Sequence, residues 1–219
     1  TWGKISNRIS FEQSQSKALR QDTDFKQYAF ANTFRYFNDD IDFSTYIAYK
    51  NKDFAAGGFY AAPTYMQEKE ILKQRFASFN LKTISDFKSE WTGYFHRTND
   101  AYVLKRHDPN FFKNFHRTDT WGLGSKVYTF SDYVFISSNY RAETISSTNL
   151  KKHRRDGLDF SLGFENLTIG DFSFDSFFSR DYVHSQSSKD RLLSNSQAND
   201  YWAFRTTYNI SDTTKVGLD

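Results

Sequence analysis

A chain of 219 residues with formal charge +3, pI near 8.9 and no cysteine has neither a disulfide framework nor a thiolate metal site. Aromatic residues make up 19% while mean hydropathy is −0.74, a pairing that suits a compact soluble core poorly, and no apolar run approaches the ~18 residues of a transmembrane helix. Basic residues are interleaved with acidic ones and form no single stripe, which removes nucleic acid as a partner.

Period-two alternation recurs along the chain, as it does in strands with two unlike faces. Residues 3–13 set Ile5, Ile9 and Phe11 against Lys4, Ser6, Arg8, Ser10 and Glu12, with Asn7 the exception on the apolar side. Residues 25–38 place Tyr28, Phe30, Asn32, Phe34 and Tyr36 opposite Gln27, Ala29, Ala31, Thr33 and Arg35. The turn formers Asn38, Asp39 and Asp40 then lead into Ile41, Phe43, Thr45, Ile47 and Tyr49, so these two segments make a hairpin. Residues 71–83 alternate cleanly only in their second half, at Ala77, Phe79 and Leu81. Further strands are expected around Phe87, Trp91 and Phe95, then around Trp121, Leu123 and Val127. Val134, Ile136, Tyr140 and Ala142 form the next apolar row, followed by Leu158, Phe160, Leu162 and Phe164. Phe172, Phe174 and Phe178, then Trp202, Phe204, Thr206, Tyr208 and Ile210, complete about ten strands of roughly the 9 to 11 residues that cross a bilayer obliquely, and residues 215–219 begin an eleventh.

Long connections alternate with short ones. Residues 14–24, 51–70, 97–117, 146–157 and 183–200 are long and hold both prolines, Pro63 and Pro109, whereas 38–40, 84–86, 131–132, 166–171 and 211–214 are short and rich in Asp, Asn and Ser. Long loops on one rim and tight turns on the other, joined by two-faced strands, are the plan of an all-β, antiparallel up-and-down transmembrane β-barrel of the bacterial outer membrane. Apolar side chains then meet lipid and polar ones line a lumen. The strands leave two edges that hydrocarbon does not permit, so the chain reads as an internal piece of a larger barrel.

Lys52-Asp53-Phe54-Ala55-Ala56-Gly57-Gly58-Phe59-Tyr60 resembles the loop after an early barrel strand in TonB-dependent outer-membrane receptors, cobalamin-receptor-like members above all, where an Asp-Phe-Gly-Ala-Asn-Gly-Phe-Tyr run recurs. It departs at Ala55, where the family has Gly, and at Gly57, where it has Asn. His96-Arg97, Leu104-Lys105-Arg106, Pro109 and Asn114-Phe115-His116-Arg117-Thr118-Asp119 resemble the next loop and strand. The resemblance implies a barrel of about 22 strands, filled by an N-terminal plug domain whose TonB box couples uptake to the proton gradient. Neither plug nor TonB box is visible in these residues. The partners implied are outer-membrane lipid, TonB acting through the plug, and a small-molecule nutrient such as a corrinoid or a metal chelate.

Ligand contact is expected from aromatics on irregular segments, Phe59, Tyr60, Tyr65, Tyr102, Phe111 and Phe112, with Lys105 and Arg106 meeting anionic groups. The plainer reading is that they pack the loops together. Asp100, Asp108 and Asp119 would contribute to a calcium site if their loop folded them together; otherwise no cofactor is expected, and these are solvated charges. The five histidines, His96, His107, His116, His153 and His184, lack the close helical spacing of a zinc site. No spacing orders Ser and His into a nucleophile, base and orienting acid, so no enzyme is expected. Lys4, Arg8, Arg35, Lys50, Lys88, Lys126, Arg141 and Arg205 should point inward with Glu12, Glu90, Glu143 and Asp175, bonding to a plug or to one another. Trp2, Trp91, Trp121 and Trp202 fit interfacial anchors. Alternatives to an importer are a passive porin or small self-contained barrel, and a soluble β-sandwich that binds carbohydrate.

Overall fold

The computed structural model describes residues 3–17, 23–56, 67–85, 87–129, 133–149, 151–169, 172–187, 195–211 and 214–218, from 206 onward by the backbone alone. The alternating segments form strands β1 (Lys4–Ser16), β2 (Phe25–Phe37), β3 (Ile41–Ala55), β4 (Lys69–Thr83), β5 (Ser89–Val103), β6 (Lys113–Tyr128), β7 (Val134–Ser147), β8 (Lys151–Ile169), β9 (Phe172–Ser187), β10 (Asn195–Ser211) and β11 (Thr214–Leu218). They lie in chain order in one antiparallel sheet. At the first tight turn Asn38 holds the chain: its N–H donates to the Ile41 carbonyl (2.9 Å), while its Oδ1 accepts from the N–H groups of Asp40 (3.0 Å) and Ile41 (2.6 Å).

Cross-strand partners share a face, so the register carries sidedness across the sheet. Ile9, Asn32, Ile47, Ala77, Phe95, Trp121 and Ala142 fall in one row, and the next row, on the opposite face, is Ser10, Ala31, Ala48, Phe76, His96, Thr120 and Glu143. Among the described residues, none forms a second layer over the apolar face. Ile9 is 66% exposed, Leu162 56% and Trp202 79%, and the buried hydrophobic residues among those described are only Ala56, Val103, Phe135 and Ala142. A soluble sandwich would bury these rows, so that reading is excluded; an exposed apolar belt on a single sheet is what a bilayer requires.

The belt does not follow one row. The row that is apolar at Ala77 and Phe95 has reached Asp156 by β8, where the apolar positions are Leu158, Phe160, Leu162 and Phe164. Strands tilted against the barrel axis produce this drift, because a line of constant depth then cuts diagonally across the ladder. Outward ion pairs mark the long-loop edge of the belt: Arg97 and Arg117 on Asp119 (2.6 Å each), Arg154 on Asp156 (2.8 Å) and Arg180 on Asp200 (2.7 Å). Trp121 and Trp202 lie one row below Asp119 and Asp200, as interfacial anchors should.

Three expectations are corrected. Strands run 13 to 19 residues through β10 and overshoot the bilayer, so most of the expected connection 146–157 is ladder: β7 runs to Ser147, and Lys151 to Gly157 belong to β8. Both faces are wet beyond the hydrocarbon, and alternation there stops reporting the ladder. The same reason makes the first half of β4 noisy: Lys73 and Arg75 point outward above the belt. Residues 166–169 are strand, not turn, because Asn166 adopts φ 56° in a bulge that shifts pairing from Phe164–Ser176 to Leu167–Phe174. Finally, Phe87 lies before β5 and stays 59% exposed.

Asn7 and Asn32 both face outward, and the Asn32 amide donates to Asn7 Oδ1 at 2.6 Å. The bond gives one donor and one acceptor a partner where lipid offers none. Asn32→Leu alone should lower unfolding stability by about 1 to 3 kcal/mol by stranding Asn7, whereas Asn7→Leu with Asn32→Leu should recover most of it. Urea midpoints of the four species measure the coupling, and additive losses would refute it.

Candidate functional site on the lumen wall

Near the short turns, inward positions carry alternating charge from strand to strand. Asp42, Lys82, Glu90 and Lys126 are successive cross-strand partners. Arg35 grips Asp42 with two donors at 2.8 and 2.7 Å, Lys82 meets Glu90 at 2.6 Å, and Glu165 accepts from both Lys126 and Tyr128. Opposite charges facing across a ladder stabilise each pair by a few tenths of a kcal/mol to about 1 kcal/mol. This belt is largely self-neutralised: of the charges expected to face inward, Arg35, Glu90 and Lys126 bond here to the neighbouring inward charges Asp42, Lys82 and Glu165.

Midway up the wall lies a shallow recess of about 450 Å³, floored by Gly122, Gly124 and Gly157. Neighbouring side chains lie flat over these glycines, so an added Cβ would have to push them aside. A Cβ at Gly122 would stand 2.5 Å from the Tyr94 ring, one at Gly124 2.3 Å from Asn139 Oδ1, and one at Gly157 2.9 Å from Arg141 Nε. Asp159 accepts from Asn139 (3.1 Å), Ser161 (3.4 Å) and Ser179, and its cross-strand partner Asp181 lies 3.9 Å from Arg141. The recess therefore combines an aromatic face, one guanidinium and two carboxylates. These residues were missed in the sequence because each is an ordinary inward position of its own strand, and the signal was the run of small residues alternating with large ones at Gly122 and Gly124.

Higher up, the expected ligand residues divide. The Tyr102 hydroxyl donates to Glu68, which is only 1% exposed, and its ring meets Phe112 edge-on at 6.4 Å. Arg106 Nη1 donates to both oxygens of Asp24 (3.0 and 3.1 Å), and its N–H donates to the Gln67 carbonyl (3.2 Å). Tyr102 and Arg106 thus fasten the bases of three long connections together. Lys105 sits 3.5 Å above the Phe111 ring, and Phe111 and Phe112 remain exposed. Phe59, Tyr60 and Tyr65 lie outside the described residues.

The three carboxylates weighed for calcium do not converge. Asp119 points outward between Arg97 and Arg117, Asp100 points inward beside His116 in the ladder, and Asp108 occupies the turn after Lys105, its N–H donating to the Lys105 carbonyl at 3.1 Å. Strand parity separates the first two. Among the described residues no group of three or more His, Asp or Glu is placed to hold a metal ion. His96 packs edge-on against Phe76 at 6.0 Å, His116 bonds Asn114 at 2.8 Å and His184 bonds Ser196 at 2.9 Å.

No protein-family model matches the sequence, and no curated protein matches it either. Solved structures do match the fold. The ferric citrate transporter FecA aligns with TM-score 0.61 at 10% identity over 95% of this chain, and the alcaligin outer-membrane receptor FauA from Bordetella pertussis with 0.63 at 11% over 97%. The outer-membrane transporter YddB from Escherichia coli aligns with 0.54 at 11% over 94%. This chain spans 37% of the length of each. What it shares with them is the fold: a contiguous run of antiparallel strands of an outer-membrane β-barrel.

Proposed function

We propose that the chain is part of the barrel of a TonB-dependent receptor that imports a bulky, scarce nutrient, a corrinoid or a metal chelate. The observation that carries this reading is the agreement of the whole described sheet with more than a third of FecA and FauA, joined to the resemblance of residues 49–124 to receptor loops. Transport on this reading is binding and gating without a covalent step. Lys105, Phe111 and Phe112 offer first contact at the rim, while the glycine-floored recess offers hydroxyl and charge-paired groups along the wall. A plug domain, coupled to TonB, would open the path.

The full-length protein in cells tests this directly. Uptake of cobalamin or of a ferric chelate should saturate and should cease when the proton gradient is collapsed or TonB is removed. Uptake linear in concentration and indifferent to TonB would instead establish a passive porin. Phe111→Ala with Phe112→Ala should weaken binding of the imported ligand about tenfold, from two lost aromatic contacts of ~0.5 to 1.5 kcal/mol each. Equilibrium binding to whole cells measures it, and an unchanged affinity would remove these rings from the site.

A further inference from the structure

The outward face holds a cationic patch that transport does not use. Lys73, Arg75, Arg97 and Arg117 lie in two adjacent outward rows of β4, β5 and β6: Arg75, Arg97 and Asp119 are successive partners, as are Lys73, Asn99 and Arg117. Asp119 is the one carboxylate these six positions contain, and Arg97 and Arg117 already occupy its two oxygens at 2.6 Å each. Arg75 stands directly across from Arg97, with Tyr49 on its other side. Like charges facing across a ladder repel, and an anion between them removes the repulsion.

Position identifies the anion. The next outward row toward the short turns is Ile47, Ala77, Phe95 and Trp121, about 7 Å away along the strands. These cations therefore sit where hydrocarbon gives way to headgroups, facing away from the lumen. The opposite rim differs: outward positions beside the short turns are Ile41, Thr83, Ser89, Val127 and Ile136, none of them charged. The asymmetry matches a bilayer whose outer leaflet alone carries dense phosphate on acylated sugars, since long loops face outside. Juxtamembrane cations are drawn to an anionic leaflet and hold its headgroups.

We propose that Lys73, Arg75, Arg97 and Arg117 form a binding site for the phosphate groups of a phosphorylated glycolipid of the outer leaflet, whose acyl chains lie along Ile47, Ala77, Phe95 and Trp121. The site is independent of which nutrient is carried. Its test uses the full-length protein extracted in detergent, delipidated and exposed to the phosphorylated glycolipid, to the same glycolipid after phosphatase treatment, and to inorganic phosphate. The intact glycolipid should bind at least tenfold more tightly than either control, a comparison that needs no variant. Lys73→Gln with Arg75→Gln should weaken that binding about tenfold and reduce glycolipid co-purifying from outer membranes, while Lys73→Arg with Arg75→Lys should retain both. Unheated gel migration confirms folding of each variant. Equal binding of the dephosphorylated lipid overturns the proposal, as does inorganic phosphate binding as tightly as the glycolipid, or a folded Gln variant with undiminished retention.

Discussion

Phe160→Arg will stop the barrel from assembling, and Ser161→Arg, one residue away, will not. Phe160 lies in the outward column Leu158, Phe160, Leu162 and is 48% exposed to what is lipid in the membrane. An unpaired guanidinium on the lipid face costs up to about 2 to 4 kcal/mol, a large share of the roughly 5 to 15 kcal/mol that typically holds a protein folded. Asp200, the nearby outward carboxylate, is already taken by Arg180, the β9 partner of Phe160. Ser161 faces the lumen beside Asp159, its hydroxyl donating to that carboxylate at 3.4 Å, so an arginine gains water and an anion. Phe34→Arg and Ala31→Arg repeat the comparison on β2, where Phe34 packs edge-on against Phe43 at 6.5 Å and Ala31 pairs with Ser10 and Ala48 on the wet face. Heat-modifiable migration after outer-membrane fractionation reads the folded fraction. Equal assembly of all four variants would count against the assignment of faces.

The second large effect separates two glycines that look alike in the sequence. At Gly163 an added Cβ would meet the Ser176 carbonyl oxygen at 2.4 Å and Phe177 Cβ and Cα at 2.6 and 2.9 Å. Those are backbone and backbone-proximal atoms, so β8 and β9 must part, and Gly163→Ala should cost about 1 to 3 kcal/mol. At Gly122 the obstacle is the far edge of the Tyr94 ring, which can swing into the lumen. Gly122→Ala should therefore fold nearly as well while narrowing the recess, lowering ligand affinity more than stability. Urea midpoints for both, with ligand binding for the second, distinguish the cases. A Gly163→Ala midpoint as high as that of the parent protein would show that the two strands have slack there.

The strands, their order and the two faces were legible because lipid imposes a rule on every second residue: Phe30, Phe34 and Tyr36 against Ala29, Ala31 and Arg35 can be sorted without coordinates. The rule lapses where lipid ends. Lys151 to Gly157 were expected in a loop because both faces of that stretch are polar, although the ladder continues through them. The ligand residues fared less evenly, since Tyr102 and Arg106 have the chemistry of ligand contacts but are engaged by Glu68 and Asp24. Aspartates 100 and 119 lie near one another along the chain, yet parity sends them to opposite sides of the sheet.

Sequence by itself determined that the chain is a transmembrane meander with a greasy outside and a wet inside, because burial against lipid acts on each residue separately and needs no knowledge of its neighbours. Tertiary structure alone decided which residues meet: the inward recess over Gly122 and Gly157, the inward alternating belt from Asp42 to Glu165, and the outward juxtaposition of Arg75 with Arg97. Those depend on register, on strand tilt and on the bulge at Asn166, and a shift of one residue in any ladder would exchange every partner while leaving the composition of the chain unchanged.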